Sequence, residues 1–272
     1  MIELAKTVEL TVGLPMFRSG EIASLAFESL CNQEGIDFDW ELLIIEEEDE
    51  AFGEEKIKEY LPRLEKVGCK RATYKSLPQW IPLSYKWKFL GQNSSNSKCF
   101  LLQAADCYSQ PYRLKETYDL FNGDPSVDWV QSPLGCFYHI ESEQMVRFNQ
   151  ALYQHKCALN MAIRTELVKQ LPIHQVPSGV DSWLFNVCTA IKGHDLHVEN
   201  NNSDNWQKGV DIHGLNKISV DRGQMILEVT EPFERSDKTL DDLVPEYIAK
   251  FIRSKKESVA DNKMIYHQMG VM

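Results

Sequence analysis

Apolar residues in this chain fall in short, dense runs separated by longer stretches of helical spacing. Val8 to Leu14 is brief, β-rich and followed by Pro15, which predicts a buried strand. After Ser19, a candidate helix cap, Ile22, Leu25, Ala26, Ser29 and Leu30 recur at helical spacing until Gly35. Trp40 to Ile45 predicts a second buried strand, running straight into Glu46, Glu47, Glu48 and Asp49. A strand, a helix and a strand in so short a span make a βαβ unit, with a parallel sheet as the default. The alternation continues with a helix over Glu54 to Val67, ended by Gly68, and a strand over Arg71 to Leu77. A helix over Leu83 to Leu90 and an apolar strand over Cys99 to Gln103 come next. A helix from Pro111, strands over Val127 to Val130 and Gly135 to Ile140, a short helix or turn over Asn160 to Gln170, a helix over Asp181 to Ile191 and an edge strand at Leu196 to Val198 complete the pattern.

The texture then changes. Glu199 to Asn205 is polar and loop-like, and residues 231–272 are charged with helical patterning. The expectation is an α/β domain over 1–230, a mostly parallel sheet flanked by helices, followed by a helical extension over 231–272.

Composition narrows the class. The chain has 272 residues, 43% of them hydrophobic and 10% aromatic, enough for a sizeable core. The seven cysteines are scattered and none lies in a CxxC pair, which argues against a disulfide framework or a zinc site and favours a reducing compartment. The first residues lack the basic and apolar regions of a signal peptide, and no run reaches the roughly 18 apolar residues of a membrane span. A cytoplasmic location is expected. The formal net charge of −11 steers polyanions away. The small basic cluster Arg253, Lys255 and Lys256 reads as a solvated helix face.

In open parallel sheets, ligands bind outside the carboxyl ends of the strands. Three such ends carry chemistry here: Pro15-Met16-Phe17-Arg18, Glu46-Glu47-Glu48, and Gln103-Ala104-Ala105-Asp106. Acidic residues at two of them suit a base, a ribose or a hard divalent cation such as Mg2+ or Mn2+. Taken singly, each also reads as a solvated loop.

Together these segments resemble the family 2 glycosyltransferases of the GT-A fold. TVGLPMFRSGEIASLAFESLCNQ is similar to that family's strand, loop and helix opening. WELLIIEEED is similar to its strand ending in paired acids, FLLQAADCYSQPYRL to its Asp-x-Asp segment, ALNMAIRTELV to the stretch ahead of its base, and VPSGVDSWLF to the segment supplying that base. The matches keep their order over residues 8–198. One departure stands out: the Asp-x-Asp positions hold Gln103 and Ala105, so that Asp106 alone is acidic there.

The resemblance implies a nucleotide-sugar donor, commonly UDP-linked, and inverting transfer with Asp181 as the base at the start of its helix; plain helix capping by Asp181 is compatible with that role. It places Pro15 and Phe17 in the nucleotide pocket, Glu46 or Glu47 against the base or ribose, and Gln103 and Ala105 beside the donor. Arg18, Lys86 and Arg164 become candidate phosphate or sugar clamps. A divalent metal, Mn2+ or Mg2+, would use Asp106 and His213, the latter also readable as a structural histidine. Trp129 and Trp183 read as core residues before sugar platforms, and residues 200–217 as a lid over the donor. A non-catalytic nucleotide-sugar-binding protein is the alternative, favoured by the lost acidic pair. A nucleotidyltransferase ranks low because Pro15-Met16-Phe17-Arg18 is not a glycine-rich phosphate loop. The acceptor stays open among glycan, protein, lipid and a modified DNA base.

Overall fold

Strand β1 (Leu10–Met16) is central and buried on both faces, which is why its sequence is apolar without alternation. It pairs in parallel with β2 (Trp40–Glu47) on one side and β4 (Cys99–Leu102) on the other, and β2 pairs in parallel with β3 (Cys69–Leu77). A computed structural model describes residues 8–131, 134–139, 143–149, 161–176, 180–200, 210–211, 233–235 and 239–254. Beyond β4 the sheet continues through β9 (Met161–Arg164), β6 (Trp129–Gln131) and β10 (Val198–Asn200), giving seven strands in the order β10-β6-β9-β4-β1-β2-β3. Only β9 is antiparallel to its neighbours.

Period-two patterning sorts the helices onto the two faces. Leu10, Val12, Leu14, Leu42 and Ile44 face α1 (Ser24–Cys31), α2 (Glu54–Lys66) and α4 (Arg113–Gly123) through Phe27, Leu30, Ile57, Leu64, Leu114 and Phe121. Leu43, Ile45, Phe100 and Leu102 face α3 (Leu83–Asn93), α5 (Thr165–Lys169) and α6 (Val180–Lys192) through Trp87, Leu90, Leu167, Leu184 and Cys188. Gly13 is required between these layers: a Cβ there would stand 2.2 Å from Cζ of Phe100.

A second sheet, ordered β12-β8-β7-β11-β5, lies outside the sequence expectation. It comprises β5 (Cys107–Tyr108), β7 (Leu134–His139), β8 (Gln144–Asn149), β11 (Val210–Asp211) and β12 (Phe233–Arg235). Helices α7 (Leu240–Leu243) and α8 (Glu246–Ser254) follow. Leu240, Leu243, Ile248 and Ile252 pack with Ile22 and Leu25 ahead of and within α1, and with Tyr108, Tyr138 and Met145. No helix among the described residues is long and apolar enough to cross a membrane.

Three local expectations change. Met161–Arg164, read as helix or turn, is a strand: its apolar residues are buried between β4 and β6, and a run this short has no legible period. Phe233–Arg235, read as part of a helical extension, pairs with β8. Ser19 caps no helix; the chain first makes a 3-10 turn over Gly20–Ala23, and the Ser19 hydroxyl accepts the Phe17 N–H at 3.3 Å.

Candidate functional site

The strand order reverses at β1, since β2 lies on one side of it and β4 on the other. Open α/β sheets hold their ligands in the crevice at such a switch point. The register shows where the crevice opens. Pairing of β1 with β4 ends at Gly13 and Leu102, closed by the Gln103 N–H donating to the Gly13 carbonyl at 3.0 Å. Backbone groups two residues apart in a strand face the same way, so the missing N–H of Pro15 lies on the β4 side, where the ladder has already stopped. Proline costs no ladder bond there, while pairing of β1 with β2 runs on to Met16 and Glu46.

Phe17 and Arg18 leave the tip of β1. Arg18 has φ 45, the left-handed region, and its guanidinium lies 5.5 Å from the Phe17 ring centroid and pairs with Asp49 at 2.5 Å. The β1 and β2 tips are thus tied together, also by the Gly20 N–H on the Glu50 carbonyl at 3.2 Å.

Glu46 and Glu47 have structural tasks. The Glu46 carboxylate, fully buried, accepts the N–H groups of Phe52 (2.7 Å) and Gly53 (3.1 Å) and the Tyr74 hydroxyl (3.1 Å). It satisfies the donors leading into α2, where an anion is favoured. Glu47 accepts the Ile81 N–H at 3.2 Å and pairs with Lys86 at 2.5 Å. Lys86, 3% exposed, also donates to the Met16 carbonyl at 2.6 Å. Burial pulls the Lys86 ammonium below its ordinary pKa, with the Glu47 hydrogen bond opposing. Lys86 therefore fastens the start of α3 to the tips of β1 and β2, a different task from the phosphate clamp expected of it.

At the end of β4, Gln103 is locked in place. Its amide nitrogen donates to the carbonyls of Ala104 and Cys107, both at 2.9 Å, and its oxygen accepts from the Ser109 hydroxyl (2.5 Å) and the Arg113 guanidinium (3.1 Å). Arg113, at the first residue of α4 and buried, further bonds Ser109 at 2.7 Å and the Leu102 carbonyl at 3.0 Å. Nothing in the local sequence announces that Arg113 reaches back to this turn. Ala105 is buried, and Asp106 beside it is half-buried with Cys107 Sγ at 3.4 Å. Among the described residues no three His, Cys, Asp or Glu side chains form a metal cluster. A Mg2+ or Mn2+ ion beside Asp106 would therefore need diphosphate oxygens and water to complete its shell.

A chain of contacts leads from the start of α3 to the opening turns of α6, the helix that carries Asp181. The Lys88 ammonium donates to the Leu171 carbonyl and the Ser84 hydroxyl to the His174 carbonyl, each at 2.6 Å. Residues 171–174 therefore climb α3 towards its start, which the contacts of Glu47 and Lys86 fix at the carboxyl edge. The His174 ring then stacks on Trp183, centroids 6.3 Å apart, in the opening turns of α6. Asp181, in the first turn of that helix, is half-buried and near a favourable helix N-terminus.

Arg164 is not brought to the site. It pairs with Cys99, the first residue of β4, so it sits at the opposite end of that strand. Its guanidinium donates to the carbonyls of Val127 and Pro125 and lies 4.8 Å from the Phe121 ring centroid. Trp129 is a core residue, edge-on to Phe185 at 5.1 Å. His213, and the expected lid apart from residues 200 and 210–211, lie outside the described residues.

No protein-family model and no curated protein matches the chain. Solved structures do. TarS of S. aureus aligns with a TM-score of 0.56 at 10% identity, over 96% of this chain and 43% of TarS. TarS 1–349 in complex with UDP-GlcNAc aligns at 0.51 and 11% identity, over 74% of this chain and 60% of that one. The mannosyltransferase PcManGT from Pyrobaculum calidifontis, in complex with GDP-Man and Mn2+, aligns at 0.55 and 11% identity, over 96% and 76%. The present chain spans less than half the length of the TarS chain at 43%. Identity this low speaks for architecture alone, and by its architecture the chain has the GT-A-type α/β fold of these glycosyltransferases.

Proposed function

We propose that this chain is an inverting glycosyltransferase that moves a sugar from a nucleotide-sugar donor, most simply a UDP-linked one, to an acceptor hydroxyl, with Asp181 as the general base. One chain of contacts supports the reading: residues 171–174 run along α3 to its start, which Lys86 ties to the tips of β1 and β2, and the His174 ring stacks on Trp183 in the opening turns of the Asp181 helix. A carboxylate there would meet one of the two demands of the reaction, accepting the proton of the attacking hydroxyl, and the charge on the leaving diphosphate is left to a cation. PcManGT in complex with GDP-Man and Mn2+ lends support at the level of fold. Asp106, with the donor's own oxygens, would hold a divalent cation, which neutralises charge on the leaving diphosphate when bound.

The chain's own residues supply rigidity. Arg18 with Asp49 and Lys86 with Glu47 tie the tips of β1 and β2, Arg113 with Gln103 fixes the turn after β4, and the Gln103 N–H on the Gly13 carbonyl joins β4 to β1, so little reorganisation is needed on binding. The locked Gln103 where the family carries an acid keeps a second reading in play, a protein that binds nucleotide sugars without turning them over.

Asp181→Asn separates the two. UDP, titrated with and without Mn2+, raises the Tm of the native chain and of the variant alike, while donor turnover falls by about 100-fold or more in the variant. Equal turnover by both proteins refutes Asp181 as the base. Nucleotide binding without turnover by the native chain selects the binding-protein reading.

A further inference from the structure

Trp80 is 54% exposed, Leu83 36% and Ile173 66%. Single exposed apolar side chains are ordinary, but several on neighbouring segments of one edge mark a candidate binding surface. All three belong to the carboxyl edge. Trp80 precedes Ile81, whose N–H is held by Glu47 at 3.2 Å, and Leu83 opens α3. Ile173 adjoins His174, whose carbonyl takes the Ser84 hydroxyl at 2.6 Å and whose ring stacks on Trp183 in the opening turns of the Asp181 helix. The loop of Trp80 and the segment of Ile173 are thus stapled together beside the proposed base, on the α3 side of the sheet.

The charge around this cluster selects its occupant. The β2 tip presents exposed Glu48, Asp49 and Glu50, the first turn of α2 adds Glu54 and Glu55, both paired with Lys58, and the chain as a whole carries a formal net charge of −11. Arg18 at this rim is paired with Asp49. A compact donor diphosphate can be neutralised by one divalent cation, but a polyanion brings many phosphates past this acidic rim, where each is repelled. An uncharged acceptor meets no such barrier. An aromatic face is the negative part of its quadrupole and attracts polarised C–H groups, which the flat face of a pyranose supplies.

We propose that Trp80, flanked by Leu83 and Ile173, is an acceptor platform on which a neutral sugar ring stacks, so that the acceptor is a glycan. The proposal rests on the glycosyltransferase reading and names its acceptor class. It is tested on the full chain with saturation-transfer NMR against neutral gluco-, galacto- and manno-oligosaccharides, with a single-stranded DNA oligonucleotide as the polyanionic arm. At least one oligosaccharide binds; Trp80→Ala weakens it about tenfold and Trp80→Phe recovers most of the loss. In transfer assays the acceptor KM rises in Trp80→Ala while the donor KM and the UDP-induced Tm rise stay as in the native chain. Trp80→Ala binding glycan as tightly as the native chain, no oligosaccharide binding at all, or Trp80-dependent binding of the oligonucleotide instead, overturns the platform. Absence of UDP binding with Trp80-dependent glycan binding intact would strike the donor reading and leave the platform standing.

Discussion

Lys86 offers a sharp test, because its two readings differ in kind. As a phosphate clamp it would matter for ligand and little for folding. As the strut seen here it matters for folding first. Its ammonium, 3% exposed, satisfies the Glu47 carboxylate, 1% exposed, at 2.5 Å and the Met16 carbonyl at 2.6 Å. Lys86→Met keeps the aliphatic volume but leaves Glu47 buried with the Ile81 N–H as its remaining named partner. Breaking a buried pair from one side costs about 3–5 kcal/mol, and the Met16 carbonyl loses a donor as well. Lys86→Met with Glu47→Leu removes both charges; what is left is the orphaned Ile81 N–H, about 1–3 kcal/mol, and the same lost donor at the Met16 carbonyl that the single variant carries. Urea denaturation of the native chain, both single variants and the double variant measures this directly, provided the m-value is shared. The double variant is expected to be more stable than Lys86→Met. A Lys86→Met variant within about 1 kcal/mol of native, a change typical of ordinary substitutions, yet unable to bind UDP, would refute the strut and restore the clamp.

Two further outcomes follow from packing and titration. Gly91→Ala would put a Cβ 2.6 Å from both Cγ1 and the carbonyl oxygen of Val168, so α3 and α5 must part. A loss of about 1–3 kcal/mol is expected in urea despite alanine's better helix propensity, and a gain in stability would contradict the close approach. Burial pushes the thiols of Cys31, Cys69 and Cys188 up to about 12 from 9.0, and that of Cys99 upward too. Folded-state values raised in this way confer stability that is complete below the ordinary thiol pKa and is lost as pH climbs from there through the folded value. Each such thiol then costs about 1.4 kcal/mol one pH unit above its ordinary pKa. Urea midpoints at pH 8 and 10 should show Cys99→Ala losing less stability over that interval than the native chain, and equal losses would count against a buried, protonated thiol.

The parallel half of the fold is legible in the chain because β1, β2 and β4 are buried on both faces and separated by helices long enough to show a period. The second sheet is not, since strands such as Cys107–Tyr108 and Phe233–Arg235 are two or three residues long and owe their state to partners distant in sequence. At the site, sequence order locates the strand tips, and the resemblance adds Asp181. What neither reveals is which charges are already engaged. Glu46 looks like a ligand for a base until α2 is seen to begin on it. Arg164 looks like a clamp until β9 is found to run antiparallel, which carries it to the opposite end of β4. The direction of one strand, invisible in a four-residue apolar run, decides that residue's role.

The engaged carboxylates bear on how a donor base would be read. Each Glu46 and Glu47 oxygen already accepts at least one hydrogen bond, and both residues are essentially closed to solvent. A nucleotide base pressing against these oxygens would have to displace the cap of α2 or the strut to α3, and either exchange leaves a buried group unsatisfied. Recognition at far lower cost is offered by the surface these struts hold in place: the Phe17 ring at the tip of β1, with the Arg18 guanidinium beside it, and the Pro15 edge that carries no N–H. On this reasoning the acids at the end of β2 fix the shape of the crevice, and under the proposed donor binding base selectivity would fall to backbone and aromatic groups around Phe17. Phe17→Ala should therefore erase any preference between UDP and GDP in the thermal-shift titration while leaving the fold intact.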